Sequence, residues 1–79
     1  MKILYFASAS IAAGCREETW SAGRPLSVRE FWEETIRRHP SLEPQRAICR
    51  LARNQEYADE DAILNETDEV AILPPVSGG

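Results

Sequence analysis

The residues whose types and spacing could do chemistry stand at the very end of the chain, Pro74-Pro75-Val76-Ser77-Gly78-Gly79. Proline has no amide hydrogen and a fixed φ, so the pair stiffens the chain toward an extended, polyproline-like path. The four residues beyond it span roughly 13 Å when stretched. Gly78 and Gly79 leave no Cβ beside the terminal carboxylate, so the backbone of Val76, Ser77, Gly78 and Gly79 can thread a channel too narrow for a side chain. The reactive group in this pattern is the Gly79 carboxylate itself. Composition alone also accommodates a frayed terminus or the start of a linker, although Pro-Pro-Val suits a random linker less well.

No second constellation competes with the tail. Cys15 and Cys49 lie 34 positions apart and the single histidine is His39, which matches no zinc, haem or thioredoxin-like spacing, so no metal ligand set is expected. Two free thiols in a reducing compartment account for the cysteines more simply than a bridge. Cys-His catalysis would need one thiol to meet His39, and nothing in the sequence orients that imidazole.

Seventy-nine residues, 43% hydrophobic and 28% charged, fit one small domain with little room for a deep active site. Function is therefore expected at the surface or the ends. Residues 1–53 carry a net charge of +3 and residues 54–79 carry −7, within an overall −4. An acidic end repels phosphate backbones, so a basic protein groove fits it as a partner and nucleic acid does not. The same charges also serve as an ordinary solvated face. No apolar run approaches the roughly 20 residues of a spanning helix, so no membrane role is expected. The stretch from Lys2 to Cys15 has the outline of a lipoprotein signal, but Ser8 and Ser10 interrupt it and its basic region is one lysine.

The elements that must position the tail follow from patterning. Residues 2–7 are apolar on both alternating faces, as in a central strand. Residues 8–14 are weakly helical, with Gly14 placed to stop a short helix, and residues 16–22 read as a polar edge strand whose large apolar residue is Trp20. Ser27-Val28-Arg29-Glu30 is a capping box, with Leu26 able to close a staple onto Phe31. Val28, Phe31, Trp32, Thr35 and Ile36 recur at helical spacing, and Pro40 ends the helix at His39. Residues 47–53 alternate as a third strand, with Cys49 and Leu51 on one face and Arg50 on the other. A short segment surrounds Tyr57, residues 65–68 form a turn, and Val70 to Leu73 is the last strand, stopped by the prolines. The expected fold is α+β, a beta-grasp with a mixed sheet packed on one main helix and the first and last strands parallel at its centre. The division is residues 1–75 as the domain and 76–79 as a flexible tail.

Four stretches together resemble a known family: Lys2-Ile3-Leu4-Tyr5-Phe6-Ala7, Leu26-Ser27-Val28, the Asn54-Gln55 step, and Asp68 through Gly79. The whole chain is similar to the small subunit of molybdopterin synthase, the ubiquitin-like, MoaD-type sulfur carriers, and the Pro-Pro-Val-Ser-Gly-Gly ending is the specific part. Thiamine-pathway carriers also end in Gly-Gly. Thr67 departs from the family, which usually has glycine in that turn, and a β-branched residue resists positive φ.

The resemblance implies a carrier that is not catalytic alone and binds no cofactor. A ubiquitin-activating-like adenylating enzyme uses ATP to activate the Gly79 carboxylate, and a sulfur donor protein converts it to a thiocarboxylate. The tail then enters the large synthase subunit, in an assembly of two small and two large subunits, and passes sulfur to the cyclic pterin precursor of the molybdenum cofactor. A cytoplasmic location goes with that pathway. Alternatives are a thiamine-pathway or other sulfur carrier, or a ubiquitin-like protein modifier. Phe6, Leu51 and Leu73 are candidates for an apolar docking patch beside the tail, with core packing as the other reading.

Overall fold

The computed structural model describes residues 1–75, so the tail from Val76 to Gly79 lies outside the described residues. The apolar first and last segments form strands β1, Lys2–Tyr5, and β7, Glu69–Leu73, numbered among seven strands in these residues. They pair in parallel, Ile3 opposite Val70 and Tyr5 opposite Ile72. All four of these side chains are buried, as expected of central strands with one face against a helix. β2, Glu17–Thr19, runs antiparallel to β1 at one edge; β4, Arg50–Arg53, runs antiparallel to β7, with β5, Glu56–Ala58, at the other edge. The resulting order is β2-β1-β7-β4-β5, the beta-grasp arrangement with its polar strands outermost.

The main helix α2, Val28–Arg38, covers the inner face of this sheet. Ser27 Oγ accepts from the Glu30 amide at 3.1 Å and the Ser27 amide donates to Glu30 Oε1 at 3.0 Å, which completes the capping box. Phe31, Trp32 and Thr35 are buried beneath it. Trp20 stacks on Phe31 at 5.9 Å and carries the Arg38 guanidinium on its face at 4.7 Å. The short helix α1, Ser8–Ala13, ends at Gly14, whose φ of 76° is a left-handed C-cap that L side chains resist.

Three expected strands are shorter than their patterning suggested. β1 stops at Tyr5 because the chain turns at Ala7, whose φ of 49° takes it off the pleat. β2 stops at Thr19, although the Trp20 amide still donates to Met1 O. Beyond it Glu66 accepts from the Ser21 hydroxyl and the Ala22 amide, drawing the chain away from the sheet. β4 begins at Arg50 rather than at 47. A 3-10 helix over Pro40–Gln45 is followed by a turn through residues 46–48, and the Ile48 and Cys49 amides both donate back to Gln45 O, leaving neither for a ladder. Leu42 in this helix is fully buried. Two short strands that patterning did not foresee, β3 at Leu26–Ser27 and β6 at Ile63–Leu64, pair antiparallel and bury Leu26 opposite Leu64.

A polar network holds the start of β7. Asn54 and Gln55 both have positive φ, the two-residue turn joining β4 to β5. The Asn54 side chain donates to Asp68 Oδ1 at 3.0 Å and accepts from the Glu69 amide at 2.9 Å, while Asp68 Oδ2 accepts from the Asn65 amide at 2.7 Å. Thr67 does not have positive φ: the turn over residues 65–68 closes through the Asp68 amide to Asn65 O at 3.0 Å, a geometry a β-branched residue adopts without strain.

Two stability predictions follow from these contacts. Thr35 Oγ1 is buried and has no hydrogen-bond partner among the described residues, so Thr35→Val should raise stability by about 1 kcal/mol in urea unfolding. A decrease would mean that the hydroxyl is satisfied. The Asn65 amide, then the Asn54 side chain, hold the Asp68 carboxyl below the usual carboxylate range. The folded state thus binds this proton less readily than the unfolded chain. The stabilisation is complete above the unfolded value of about 3.9 and is lost as pH falls through the depressed folded value. Asp68→Asn should therefore cost about 1–3 kcal/mol at pH 7, and the gap to wild type should narrow below about pH 4. A gap that stays constant into strong acid would remove Asp68 from the acid response.

Candidate functional site

The strand that leads into the tail is central, so Pro74 and Pro75 follow directly on a segment paired on both sides, Leu73 opposite Arg50 and Ile72 opposite both Leu51 and Tyr5. β1 ends at the same end of the sheet, and the Phe6 amide still donates to Ile72 O at 3.3 Å. On the outer face, away from α2, Leu4, Phe6, Ala52, Tyr57, Ala71 and Leu73 line one open groove. Phe6 is 47% exposed and Tyr57 65% exposed, with the Arg50 guanidinium 3.8 Å above the Tyr57 ring. A largely apolar floor, also lined by Gln55 and Glu69 and flanked by Arg50 at Tyr57, thus lies beside the end of β7.

Of the three residues expected in a docking patch, the structure brings together Phe6 and Leu73 on this groove and removes Leu51. Leu51 is 4% exposed and belongs to the core. The reason is the pleat. Leu51 sits opposite Ile72, whose side chain points inward, so Leu51 points inward too, while its neighbour Ala52 faces the groove. The expected carrier residues Val76, Ser77, Gly78 and Gly79 lie outside the described residues.

A second group of chemically capable side chains, which spacing did not reveal, gathers on the inner face at the same end. Glu18 on β2 accepts from the Tyr5 hydroxyl, and its Oε1 lies 2.7 Å from His39 Nε2 at the end of α2. Cys15 completes the group: its Sγ, a Glu18 oxygen and a His39 nitrogen all lie within 4.8 Å of one another, each residue half-buried. The imidazole that had no orienting partner in the sequence is therefore oriented by Glu18. The only signal that could have shown this was the pleat of β2, where Glu18 opposes Ile3 and must face inward.

The electrostatics of this group do not activate the thiol. Burial, then the Glu18 charge, push Cys15 up, and burial does the same to Cys49. Burial and the Glu18 hydrogen bond push the Tyr5 hydroxyl far up. Burial also acts to raise Glu18, but hydrogen bonds from Tyr5 and His39 outweigh it and hold the carboxylate below its usual range. Cys15 and Cys49 are both free, and a protonated thiol beside a carboxylate is a weak nucleophile.

The comparisons with known proteins agree with this architecture along the whole chain. Residues 3–79 match the family described as ThiS family. The molybdopterin synthase sulfur carrier subunit of Chlamydomonas reinhardtii is 40% identical over 82 residues, spanning 100% of this chain and 98% of that protein. The molybdopterin synthase sulfur carrier subunit of Homo sapiens is 37% identical, spanning 100% and 93%. Among solved structures, SAMP1 from Haloferax volcanii superposes with a TM-score of 0.84 at 28% identity, covering 100% of this chain and 98% of that one. No helix among the described residues is long and apolar enough to cross a membrane. With a sheet whose central strand runs out into Pro-Pro-Val-Ser-Gly-Gly and relatives matched from end to end, the chain belongs to the ThiS family and to the group of molybdopterin synthase sulfur carrier subunits within reach of that match.

Proposed function

We propose that this protein carries sulfur as a thiocarboxylate on Gly79 and delivers it within a molybdopterin synthase. The observation that carries the reading is the end-to-end match to two molybdopterin synthase sulfur carrier subunits in a chain that ends Gly78-Gly79 directly after its central strand. A carboxylate resists attack until one oxygen becomes a good leaving group. A partner adenylating enzyme supplies that with ATP, forming an acyl-adenylate at Gly79 and releasing pyrophosphate. A sulfur donor protein then replaces the adenylate, AMP leaves, and the thiocarboxylate remains. The tail enters the large subunit of the synthase, and sulfur passes to the cyclic pterin precursor of the molybdenum cofactor, in an assembly of two small and two large subunits in the cytoplasm. This chain's part is to present the carboxylate on a stiff stalk and to dock.

Docking falls to the outer groove, where Phe6 and Leu73 flank the tail exit and Arg50 supplies a charge at the rim. A second reading has one specific support. The Haloferax volcanii neighbour is a small archaeal modifier protein, and a modifier would take the same adenylate on to an amide with a lysine. Protein conjugates in place of a free thiocarboxylate would favour it.

The decisive experiment is intact-mass measurement after incubation with adenylating enzyme, ATP and a sulfur donor. Wild type should gain the mass of one oxygen replaced by sulfur. Deleting Gly79 withdraws the carboxylate by about 3.3–3.6 Å, and adding one residue converts the Gly79 carboxylate to an unreactive amide. Since misplacement by even 1 Å can cost about a hundredfold in rate, both changes should nearly abolish molybdopterin formation, and Gly78→Ala should impair it. All three should leave stability within about 0.5 kcal/mol of wild type. Wild-type synthase activity from the deletion variant would make the Gly-Gly end an ordinary terminus.

Two further expectations separate docking and thiols from the tail. Phe6→Asp should weaken co-purification with the large subunit while the thermal transition stays nearly unchanged. Loss of folding in step with loss of binding would return Phe6 to a purely structural role. Cys15→Ser and Cys49→Ser should both still accept sulfur at Gly79. A folded cysteine variant that forms the adenylate and never the thiocarboxylate would place the sulfur chemistry on a thiol instead.

A further inference from the structure

Cys15, Glu18 and His39 arrive at one point from three different places in the fold, the α1 exit, the edge strand β2 and the C-cap of α2. Thiolate, imidazole and carboxylate together are the donor set of a borderline-soft divalent cation. We propose that these three side chains bind one zinc ion or a similar first-row divalent ion, with the fourth position open to water. The site is separate from the groove on the outer face, because Tyr5 and Glu18 point to the inner side of the sheet.

The distances are those of a hydrogen-bonded group that small side-chain shifts convert into a ligand set. Tetrahedral bonds of about 2.0–2.1 Å to nitrogen or oxygen and about 2.3 Å to sulfur set ligand separations of roughly 3.3–3.6 Å. His39 Nε2 and Glu18 Oε1, now 2.7 Å apart across a shared proton, need to open by only about 0.6 Å when a cation replaces that proton. Cys15 Sγ, within 4.8 Å of both, needs to close by at most roughly 1.2 Å. Its position just after a six-residue helix, outside any strand, leaves the backbone free of ladder bonds at Cys15 itself.

The surroundings supply the outer support that such sites use. The Tyr5 hydroxyl donates to Glu18 and its ring meets the His39 ring edge-on at 5.8 Å, so both ligands are oriented by the same buried residue. Arg38 opposes a cation here, since its charge reaches Glu18, although its guanidinium is held by Glu34 at 2.8 Å and the Trp20 face at 4.7 Å. Cation binding displaces the Cys15 thiol proton to solvent, so affinity should rise with pH. The bound cation would clip the edge strand β2 and the α1 exit to the end of α2, which closes the open side of a small core.

Cobalt(II) titrated into the reduced full-length chain tests the site, because a thiolate ligand gives a charge-transfer band in the near ultraviolet and a four-coordinate site gives intense visible bands. One cobalt should bind per chain, and zinc should displace it. Cys15→Ser should abolish the charge-transfer band, whereas Cys49→Ser and deletion of Gly79 should leave it intact. Tyr5→Phe should weaken binding by about 10–100-fold, as for loss of an outer-shell partner, and His39→Gln by at least as much. Zinc should raise the thermal transition of wild type in a concentration-dependent way and leave Cys15→Ser unmoved. Far-ultraviolet circular dichroism confirms the fold of each variant; if Cys15→Ser unfolds, the His39→Gln comparison decides. No thiolate band from folded wild type in excess cobalt, a band that survives Cys15→Ser, or one lost with Cys49→Ser would overturn the proposal.

Discussion

The parallel pairing of β1 with β7 is the interaction on which the rest of the molecule depends. Both strands are flanked on each side, so every amide along them must find a ladder partner, and Ile3, Tyr5, Val70 and Ile72 form the inner floor against α2. A last strand held at the centre of a sheet cannot fray as an edge strand can. The ladder ends only where Pro74 and Pro75 have no amide to offer. Pro74 and Pro75 therefore follow directly on a central strand of the sheet. β1 ends at the same level, and the turn at Ala7 leaves Phe6 exposed beside the departure point.

Two polar hubs bracket this pair at opposite ends. At the start of β7, Asp68 gathers Asn54 and the Asn65 amide and fixes the approach of the last strand. The cost of burying a carboxylate is met there chiefly by hydrogen bonds, with the Arg53 charge assisting. At the end of β1, Glu18 takes hydrogen bonds from Tyr5 and His39 and ties the edge strand to α2. This second hub differs in kind, because a thiol stands within reach of it. The inner face at the tail end thus carries a ligand set, and the outer face carries an apolar groove, with a single sheet between them.

The surface chemistry divides in the same way. The groove beside the tail is largely apolar with a cation at its rim, where Arg50 lies over Tyr57. Of the acids in the last third of the chain Glu69 lines the groove, while Asp59, Glu60, Asp61, Glu66 and Asp68 lie in the segments before β6 and β7.

The sequence by itself determined the elements whose signals are local. The capping box at Ser27, the left-handed stop at Gly14, the alternation of Val70 to Leu73 and the prolines that follow it each depend on a few adjacent residues, and all are found where patterning puts them. The Gly78-Gly79 end is a local signal of the same kind, and it lies outside the described residues. Tertiary structure decided what depends on residues far apart. It turned Leu51 inward by its register against Ile72, replaced the first residues of the expected third strand with a turn that follows a 3-10 helix burying Leu42, and paired Leu26 with Leu64 across a short second sheet. It also brought Cys15, Glu18 and His39 to one place. Their spacing of three and twenty-one positions matches no ligand motif, because the geometry comes from a helix end packed over an edge strand, and no periodicity within either segment encodes that crossing.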